Sequence, residues 1–408
     1  MLNWAKQFSI FCFLDNHEYQ IEPHTVECML AAGCRRFIQS SDKNSLEGLQ
    51  RFIDEKPSWL FGHLSYDLKN EIESLTSFHT DHLEFPELFF FEPEYIVRLG
   101  TDVMVIEAKE PQQVFQSIIG TAISQSALTS DITEIHSRIS KADYIDTVQK
   151  LQRHILRGDC YEINFCQEFF SANAQIDPLT VYEKLSEVSP NPFSALYKLT
   201  DKYLICASPE RFIKKEGADI LSQPIKGTAK RNTQIKELDN LYKENLYHSL
   251  KDRSENVMVV DLVRNDLAKV CKEGSVKVDE LYGVYPFPQV FQMISTISGV
   301  VKENISFTDI VRATFPMGSM TGAPKRNVLR LIEKYERSKR GIFSGAFGYI
   351  TPEQDFDFNV VIRSIMHNET KRYLSYQVGS AITFYSIAEN EWEECILKAE
   401  AINKVLKQ

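Results

Sequence analysis

The order of helix-like and strand-like segments constrains the fold most strongly. Apolar residues recur at helical spacing from Lys141, in KADYIDTVQKLQRHILRG, and this pattern ends at Gly158. Strand-like runs follow, then helical patterns near 233–272 and 323–338, more strands, and a last helix over about 389–406. Because helices and strands do not alternate in a regular βαβ repeat, the pattern favours an α+β fold.

The first part of the chain reads as short β-like runs, such as WLFGHLSYDL and LFFFEPEYIVRL, and a polar stretch at 128–140 follows. The opening FSIFCFL runs into Asp15 without a small-residue cleavage site, so it indicates a strand and not a signal peptide. The length allows one large domain or two ordinary ones, and the pattern of the chain changes at Lys141.

Charge and composition exclude several classes of protein. The formal net charge is −10, which argues against nucleic-acid or anionic-membrane partners. No apolar run approaches the ~20 residues that span a bilayer. Eight cysteines lack CxxC or Cys/His metal spacing, and they indicate reduced core residues of a cytoplasmic protein. An anionic substrate would need a local cationic pocket or a metal ion.

Carboxylates stand out on the last helix. Glu391, Glu394 and Lys398 are spaced i, i+3, i+7, so they fall within an arc of about 60°. This spacing fits two interpretations. One is a solvated helix face with a Glu394–Lys398 ion pair, and the other is a pair of carboxylate ligands for Mg²⁺. A further carboxylate, Glu255, precedes the apolar run VMVV and has no cation at i+3 or i+4. An unpaired carboxylate near a core is costly unless a metal or a substrate satisfies it.

Three loops contain candidate reactive groups. SQPIKGTAKR holds Lys226 between a proline and a glycine, which suits either a nucleophile or a structural lysine paired with a carboxylate. CASPERF places Glu210 on a turn. Glu210 is either a general acid, if burial raises its pKa, or a surface residue that forms an ion pair with Arg211. GSMTGAPK is a capped helix start that could bind an anion, with Thr321 or Gly322 at the cap. It lacks the Walker A order, and no GxGxxG, HExxH or GxSxG occurs.

In order along the chain, nine segments resemble the motif series of the chorismate-utilising enzymes: YEINF, SPERF, PIKGT, ENVMVVDLVRNDL, GSMTGAPK, FSGAFGYI, NVVIRSI, GSAIT and EWEECILKAEAI. The resemblance covers about 145–408 strongly and 1–140 loosely. It implies one large α+β domain of two stacked, mainly antiparallel sheets with helices packed outside. In this domain an N-terminal region, 1–140, is integrated with the catalytic part, 141–408. It also implies a Mg²⁺-dependent chorismate site between the sheets.

The resemblance also implies roles for residues at matching positions. The general acid that protonates the departing ring hydroxyl would be Glu210. The magnesium ligands would be Glu255 and Glu394, with Glu391 ligating directly or through water. The residues that hold the substrate would be Arg363 and Tyr349 at a carboxylate, backbone groups around Gly379 and Ser380, and Thr228, Thr321 and Lys398 along the same pocket.

Lys226 distinguishes among branches of this family. Anthranilate-forming members of the family typically have the sequence PIAGT at this position. The PIKGT of this chain resembles the pattern of the aminodeoxychorismate synthase branch. In that branch the lysine adds to ring carbon 2 as the 4-hydroxyl leaves, and ammonia then adds at carbon 4. The product, 4-amino-4-deoxychorismate, supplies 4-aminobenzoate and folate synthesis. Because the lysine must be neutral, we expect burial beside Lys230, Arg231 and the metal to lower the pKa of Lys226.

Two positions depart from the family pattern. Glu162 stands where aminating members usually carry glutamine, and Gln292 replaces a common histidine. Nothing in the chain resembles a glutamine amidotransferase, so we expect a separate subunit of that kind to supply ammonia. Two alternatives stay open, an anthranilate synthase component I and a catalytically silent chorismate-binding subunit.

Overall fold

The structure, a computed structural model, describes residues 1–19, 28–40, 44–100, 102–122, 131–132 and 134–407. In chain order the strands are β1 (Ile10–Asp15), β2 (Cys28–Ala32), β3 (Arg36–Gln39), β4 (Leu60–Leu64), β5 (Leu88–Glu92), β6 (Tyr95–Leu99), β7 (Met104–Glu107), β8 (Asp131–Ile132), β9 (His136–Ser137), β10 (Glu162–Ser171), β11 (Ala174–Gln175), β12 (Phe193–Leu199), β13 (Lys202–Ser208), β14 (Arg211–Glu216), β15 (Asp219–Gln223), β16 (Ile225–Lys230), β17 (Lys277–Pro286), β18 (Val290–Val300), β19 (Gly322–Ala323), β20 (Ala346–Ile350), β21 (Phe356–Val360), β22 (Ser364–Asn368) and β23 (Tyr373–Ile382).

The α-helices are α1 (Leu2–Ala5), α2 (Ser45–Glu55), α3 (Lys69–Glu73), α4 (Pro111–Gly120), α5 (Lys141–Leu156), α6 (Pro178–Val188), α7 (Lys236–His248), α8 (Leu250–Val270), α9 (Phe307–Thr314), α10 (Lys325–Tyr335) and α11 (Ala388–Leu406). Short 3₁₀ turns occupy Tyr66–Leu68 and Gly318–Met320. The helix predicted from Lys141 begins at that residue, where the Ser140 hydroxyl accepts a bond from the Asp143 amide. The pattern over 233–272 is two helices, α7 and α8, because Ser249 caps a new helix there.

Two large antiparallel sheets form the fold, as predicted. The first has the order β19-β10-β23-β22-β13-β12-β1-β2-β6-β7, with β9 on β10. The second has the order β16-β18-β15-β14-β21-β20-β4-β5-β3, with β17 on β18. Strands from before residue 108 therefore pair with later strands in both sheets, at β1–β12 and at β4–β20. The division at about 140 stays a prediction, and the polar stretch 128–140 lies partly outside the described residues.

Hydrophobic cores lie on both faces of the first sheet. On β1, Ile10 and Cys12 belong to the core shared with the second sheet, whereas Phe11 and Phe13 belong to the core shared with α5, α6 and α11. Alternate side chains point to opposite faces of a strand, so a strand covered on both faces needs apolar residues throughout. This accounts for the unbroken FSIFCFL run.

The cysteines agree with the sequence-based prediction. All eight are free, and six of them are buried. Over the described part of the chain, no helix is long and apolar enough to cross a membrane.

Candidate active site

A cavity of about 530 Å³ opens between the two sheets and is flanked by α8 and α11. Its wall brings together residues that are far apart in the sequence. Of the residues predicted from the sequence, those that line it are Glu210, Lys226, Thr228, Glu255, Arg363, Gly379, Glu394 and Lys398. The cavity walls are therefore built largely from the segments that carry the family motifs.

An irregularity in β16 positions Lys226. The pairing of β16 with β18 shifts register between Ile225 and Thr228, which leaves one extra residue on the β16 side. Such bulges redirect side chains. Gly227 has φ +99°, and a Cβ there would lie 3.0 Å from the Cβ of Asp252. The glycine of PIKGT thus permits both the backbone turn and the close approach of α8.

Lys226 forms a buried ion pair with Glu162. The Lys226 Nζ lies 3.1 Å from Oε1 of Glu162, and the side chains are 10% and 1% exposed. Glu162 begins β10, in the opposite sheet, so the pair bridges the two sheets. The pairing that the sequence offered as an alternative to a nucleophile is therefore present, at a lysine that also lines the cavity.

The predicted direction of the Lys226 pKa is wrong for the structure as it stands. Burial lowers the pKa of Lys226, but the negative charges of Glu162, Glu255 and Glu210 outweigh burial and raise the pKa above its usual value. The sequence prediction considered the neighbouring cations Lys230 and Arg231. The carboxylates that face the amine come from distant segments.

Glu210 has the environment of a general acid. It is 4% exposed, in the turn between β13 and β14. Burial raises the pKa of Glu210 to about 7, although a hydrogen bond from Ser319 and the charges of Lys226 and Arg363 act in the opposite direction. A carboxyl with this pKa carries a proton in a large fraction of molecules near neutral pH.

Glu255 on α8 and Glu391 on α11 both lie near Lys251, a residue of α8 that was not predicted from the sequence. Lys251 Nζ lies 3.0 Å from Oε1 of Glu391 and 3.8 Å from Oε1 of Glu255. It precedes Glu255 by four residues, on the same helical face, and that spacing was the available signal. Glu394 pairs with Lys398 at 2.7 Å, as the solvated-face alternative predicted.

These carboxylates have the chemistry of hard-cation ligands but are not grouped as a metal site. In the described part of the chain, no three His, Cys, Asp or Glu side chains are clustered closely enough to hold an ion. Yet two buried oxygens, Oε1 of Glu255 and Oε2 of Glu391, have no hydrogen-bond partner among the described residues. Burial raises the pKa of Glu255 to about 7, more than the nearby lysines lower it. Oxygens without partners fit a divalent cation, which prefers such ligands.

Arg363 is a half-buried cation in the cavity wall. Burial lowers the pKa of Arg363 to about 10, and the charge of Glu210 opposes this shift. With its amide oxygen turned toward the guanidinium, Gln292 accepts bonds from Nη2 at 2.6 Å and Nη1 at 3.0 Å. Because its direct partner is a neutral amide, Arg363 retains its full charge for an anionic ligand.

Four predicted residues do not line the cavity. Tyr349 packs on Trp59 and Phe61, so its predicted contact with a substrate carboxylate is not supported. Phe343, from the same FSGAFGYI segment, lines the cavity instead.

The other three lie behind the wall. The hydroxyl of Thr321 donates to the Met317 carbonyl at 3.0 Å, and that of Ser380 lies 2.9 Å from the Tyr144 hydroxyl. Glu391 reaches the site through Lys251. Gly379, beside Ser380, lines the cavity, and its carbonyl accepts a bond from Lys398 at 2.9 Å.

The stacked sheets thus enclose a cavity whose wall carries both cations and carboxylates. A sequence profile of the chorismate binding enzymes matches residues 10–404. The chain belongs to the chorismate binding enzyme family.

Curated relatives include two bacterial proteins named aminodeoxychorismate synthase component 1. The Bacillus subtilis protein is 30% identical over 362 residues, which cover 85% of this chain and 76% of the relative. The Salmonella typhimurium protein is 36% identical over 270 residues, which cover 66% of this chain and 58% of the relative.

Solved structures show the same fold. Anthranilate synthase component I from Streptococcus pneumoniae superposes with a TM-score of 0.82 at 24% identity, over 94% of each chain. The menaquinone-specific isochorismate synthase MenF from Escherichia coli gives 0.79 at 16% identity, over 99% of this chain and 91% of the other. At these identities the likeness defines the architecture and not the reaction.

Proposed function

We propose that this enzyme aminates chorismate, forming 4-amino-4-deoxychorismate from chorismate and ammonia through a covalent adduct on Lys226. The observation that carries the proposal is the Lys226 side chain in the cavity wall, with the protonatable Glu210 on the same cavity. The relatives named aminodeoxychorismate synthase component 1 support this assignment. The product would supply 4-aminobenzoate and folate synthesis in the cytoplasm.

Each cavity residue has a defined task in this reaction. Arg363 holds a substrate carboxylate, since its direct partner is the neutral amide of Gln292 and no carboxylate among the described residues pairs with it. Protonated Glu210 gives its proton to the departing 4-hydroxyl, which leaves as water. Lys226 forms the bond to ring carbon 2, and ammonia at carbon 4 then displaces it.

A magnesium ion would be held by Glu255, Glu391 and Glu394, and Lys251 and Lys398 would give up their contacts with these carboxylates. When bound, the ion would offset the negative charge of a substrate carboxylate. Lys251 already places a positive charge between Glu255 and Glu391. The orphaned oxygens of these two residues support the assignment.

Ammonia would come from a separate glutamine amidotransferase subunit, because the names of the relatives describe them as one component of a synthase. The purified chain should use ammonium salts, and glutamine should serve only when that subunit is added. An increase in rate with glutamine in the absence of a partner would contradict this expectation.

The decisive test is product identification. The chain is incubated with chorismate, MgCl₂ and ¹⁵N-ammonium, and the products are separated and identified by mass spectrometry. We expect a ¹⁵N-labelled product that retains the enolpyruvyl group. Labelled anthranilate, which has lost that group, would instead identify an anthranilate synthase. Unchanged chorismate, with binding shown by calorimetry, would identify a silent subunit.

A further inference from the structure

The partner of Lys226 raises a chemical problem. A lysine whose charge is stabilised by a buried carboxylate holds its proton, and a protonated amine has no lone pair with which to attack carbon. Lys226 and Glu162 are nearly excluded from solvent, so the proton cannot pass easily to bulk water. The reaction therefore needs a nearby acceptor for this proton.

Carboxylates that act on Lys226 come from several packed elements. They are Glu162 on β10, Glu210 in the turn after β13, Glu255 on α8 and Glu394 on α11, and α11 also brings the cation Lys398. Of the acidic groups, Glu162 is the one in ion-pair contact with the amine, at 3.1 Å. Its second oxygen, Oε2, is buried and has no hydrogen-bond partner among the described residues.

The other carboxylates have different tasks. Glu210 must hold a proton in order to give it to the departing hydroxyl, so it cannot also receive one. Glu255 lies 3.8 Å from Lys251 and, in the proposed reaction, would hold magnesium. Glu394 pairs with Lys398 at 2.7 Å and, in the proposed reaction, would hold magnesium instead. These assignments leave Glu162 as the acceptor.

The position of Glu162 is fixed by the backbone. Glu162 pairs with Ala323 of β19, and the carbonyl oxygen of Glu162 lies 2.1 Å from where a Cβ on Gly322 would stand. Gly322 has φ +139°, so the GSMTGAPK turn can pack directly against this part of β10. The glycine thus holds the strand that presents Glu162 to Lys226.

We infer that Glu162 is the catalytic base that takes the proton from Lys226 and so produces the neutral nucleophile. This inference rests on the proposed amination reaction. It gives a chemical role to a residue that departs from the usual family pattern, and it makes the ion pair a resting state of the nucleophile.

The protons balance over one turnover. The Nζ–H bond of Lys226 breaks and Glu162 becomes a neutral acid. The amine then bonds to ring carbon 2, the C4–O bond breaks, and Glu210 protonates the oxygen, which leaves as water. Ammonia bonds to carbon 4 and the C2–N bond breaks, which frees the amine of Lys226. Glu162 returns its proton to Lys226, and Glu210 recovers one from the new ammonium group.

The first test compares pH profiles. We expect Glu162→Gln to lower kcat at pH 6.5 by at least about 100-fold, because Lys226 must then lose its proton to solvent. Wild-type kcat should be flat below pH 7 and fall above it as Glu210 ionises. In the variant, kcat should instead rise about tenfold per pH unit up to about pH 7 and then level off. The assay uses saturating chorismate and a constant concentration of free NH₃ at each pH.

Two further variants separate chemistry from packing. Glu162→Asp keeps the acceptor and should recover part of kcat with the wild-type profile shape. Glu168→Gln alters another buried carboxylate of β10, one that pairs with Arg138 at 2.9 Å. It should leave the profile unchanged. A wild-type rate in Glu162→Gln would overturn the inference, and so would a loss by the same factor at every pH.

The second test needs no turnover. Competitive acetylation with acetic anhydride, read by mass spectrometry, reports the titration midpoint of Lys226 against an exposed lysine. We expect Glu162→Gln to move this midpoint to lower pH and Glu168→Gln to leave it in place. An unmoved midpoint would show that the two groups are not coupled and would overturn the inference. Failure of the amination proposal would appear separately, in the products of the wild-type enzyme.

Discussion

Two buried ion pairs in this protein differ in how completely they are satisfied. Arg340 donates to both carboxylate oxygens of Glu336, at 3.0 and 2.6 Å, and also to the carbonyls of Met320 and Asn164, at 2.7 and 2.9 Å. Glu336 further accepts a bond from the Cys166 amide at 2.9 Å. The pair thereby ties α10 and the segment after it to β10 and to the 3₁₀ turn at Gly318–Met320.

The Lys226–Glu162 pair has one contact and leaves a buried oxygen without a partner in the described structure. A buried charge is stable when hydrogen bonds satisfy all of its polar atoms, and incomplete satisfaction costs free energy. The fully hydrogen-bonded pair Arg340–Glu336 therefore stabilises the fold, whereas the incompletely hydrogen-bonded pair Lys226–Glu162 keeps polar groups available for a substrate. This contrast can be tested by breaking each pair.

The largest effect should follow from Lys226→Ala. We expect amination to fall by at least roughly 10³-fold, because the nucleophile is lost, while the fold persists. Product formation is measured together with circular dichroism. Lys236→Ala, at the exposed start of α7, is the matched control and should retain activity. A wild-type rate in Lys226→Ala would show that the lysine is not the nucleophile.

Breaking the complete pair should affect stability instead. Arg340→Met leaves Glu336 buried without its cation, and we expect the free energy of unfolding to fall by about 3–5 kcal/mol. Urea unfolding measures this change, and Lys226→Ala in the same assay should lose clearly less. Equal losses for the two variants would mean that the contrast between the pairs is not real.

Glu210, the buried acid in the cavity wall, should make the stability of the protein depend on pH. The folded-state pKa of Glu210 is raised from 4.5 to about 7, so its stabilising contribution is complete below about pH 4.5 and is lost as pH rises through 7. Relative to Glu210→Gln, the wild-type free energy of unfolding should therefore fall by on the order of 2–3 kcal/mol between pH 5 and 8. Urea titrations without added metal measure the difference. Parallel curves would contradict the raised pKa.

The ion pair between Glu391 and Lys251 is also incompletely satisfied, because Oε2 of Glu391 has no hydrogen-bond partner among the described residues. If Mg²⁺ binds there, MgCl₂ at about 100 times its Kd should stabilise the protein by up to about 2.7 kcal/mol. Thermal unfolding with and without Mg²⁺ measures this, and EDTA should abolish activity. Glu391→Gln should remove most of the stabilisation, whereas Glu393→Gln, on the exposed face of α11, should not. If Mg²⁺ stabilises the Glu391→Gln variant as much as the wild type, Glu391 is not a ligand of the ion.

The smallest effect concerns Arg363, whose direct partner is an amide. Gln292→Ala should raise the KM for chorismate by about fivefold to tenfold with little change in kcat, since one hydrogen-bonded contact is lost in ground and transition states alike. Gln292→Glu should raise KM further, because it gives Arg363 the carboxylate partner that Arg340 has. Steady-state kinetics measure both. A fall in kcat without a change in KM would indicate another role for Gln292.

Local patterns predicted much of the fold. The helix from Lys141, the last helix and the strand in FSIFCFL follow from local side-chain patterns, which depend on residues close together along the chain. The two stacked sheets were implied only by the resemblance to the chorismate-utilising enzymes. The same periodicity did not show that 233–272 contains two helices, because the break depends on one serine cap at Ser249.

The sequence alone shows which chemical groups are available, namely a lysine beside a glycine, acids on two helices and an arginine. Which of these side chains lie in contact depends on the tertiary structure. It brought Glu162 from one sheet to Lys226 of the other, placed Lys251 between two acids, and put Phe343 and not Tyr349 in the cavity wall. The physical reason is that the pKa of a buried group depends on charges a few ångströms away, and such neighbours come from segments far apart in the chain.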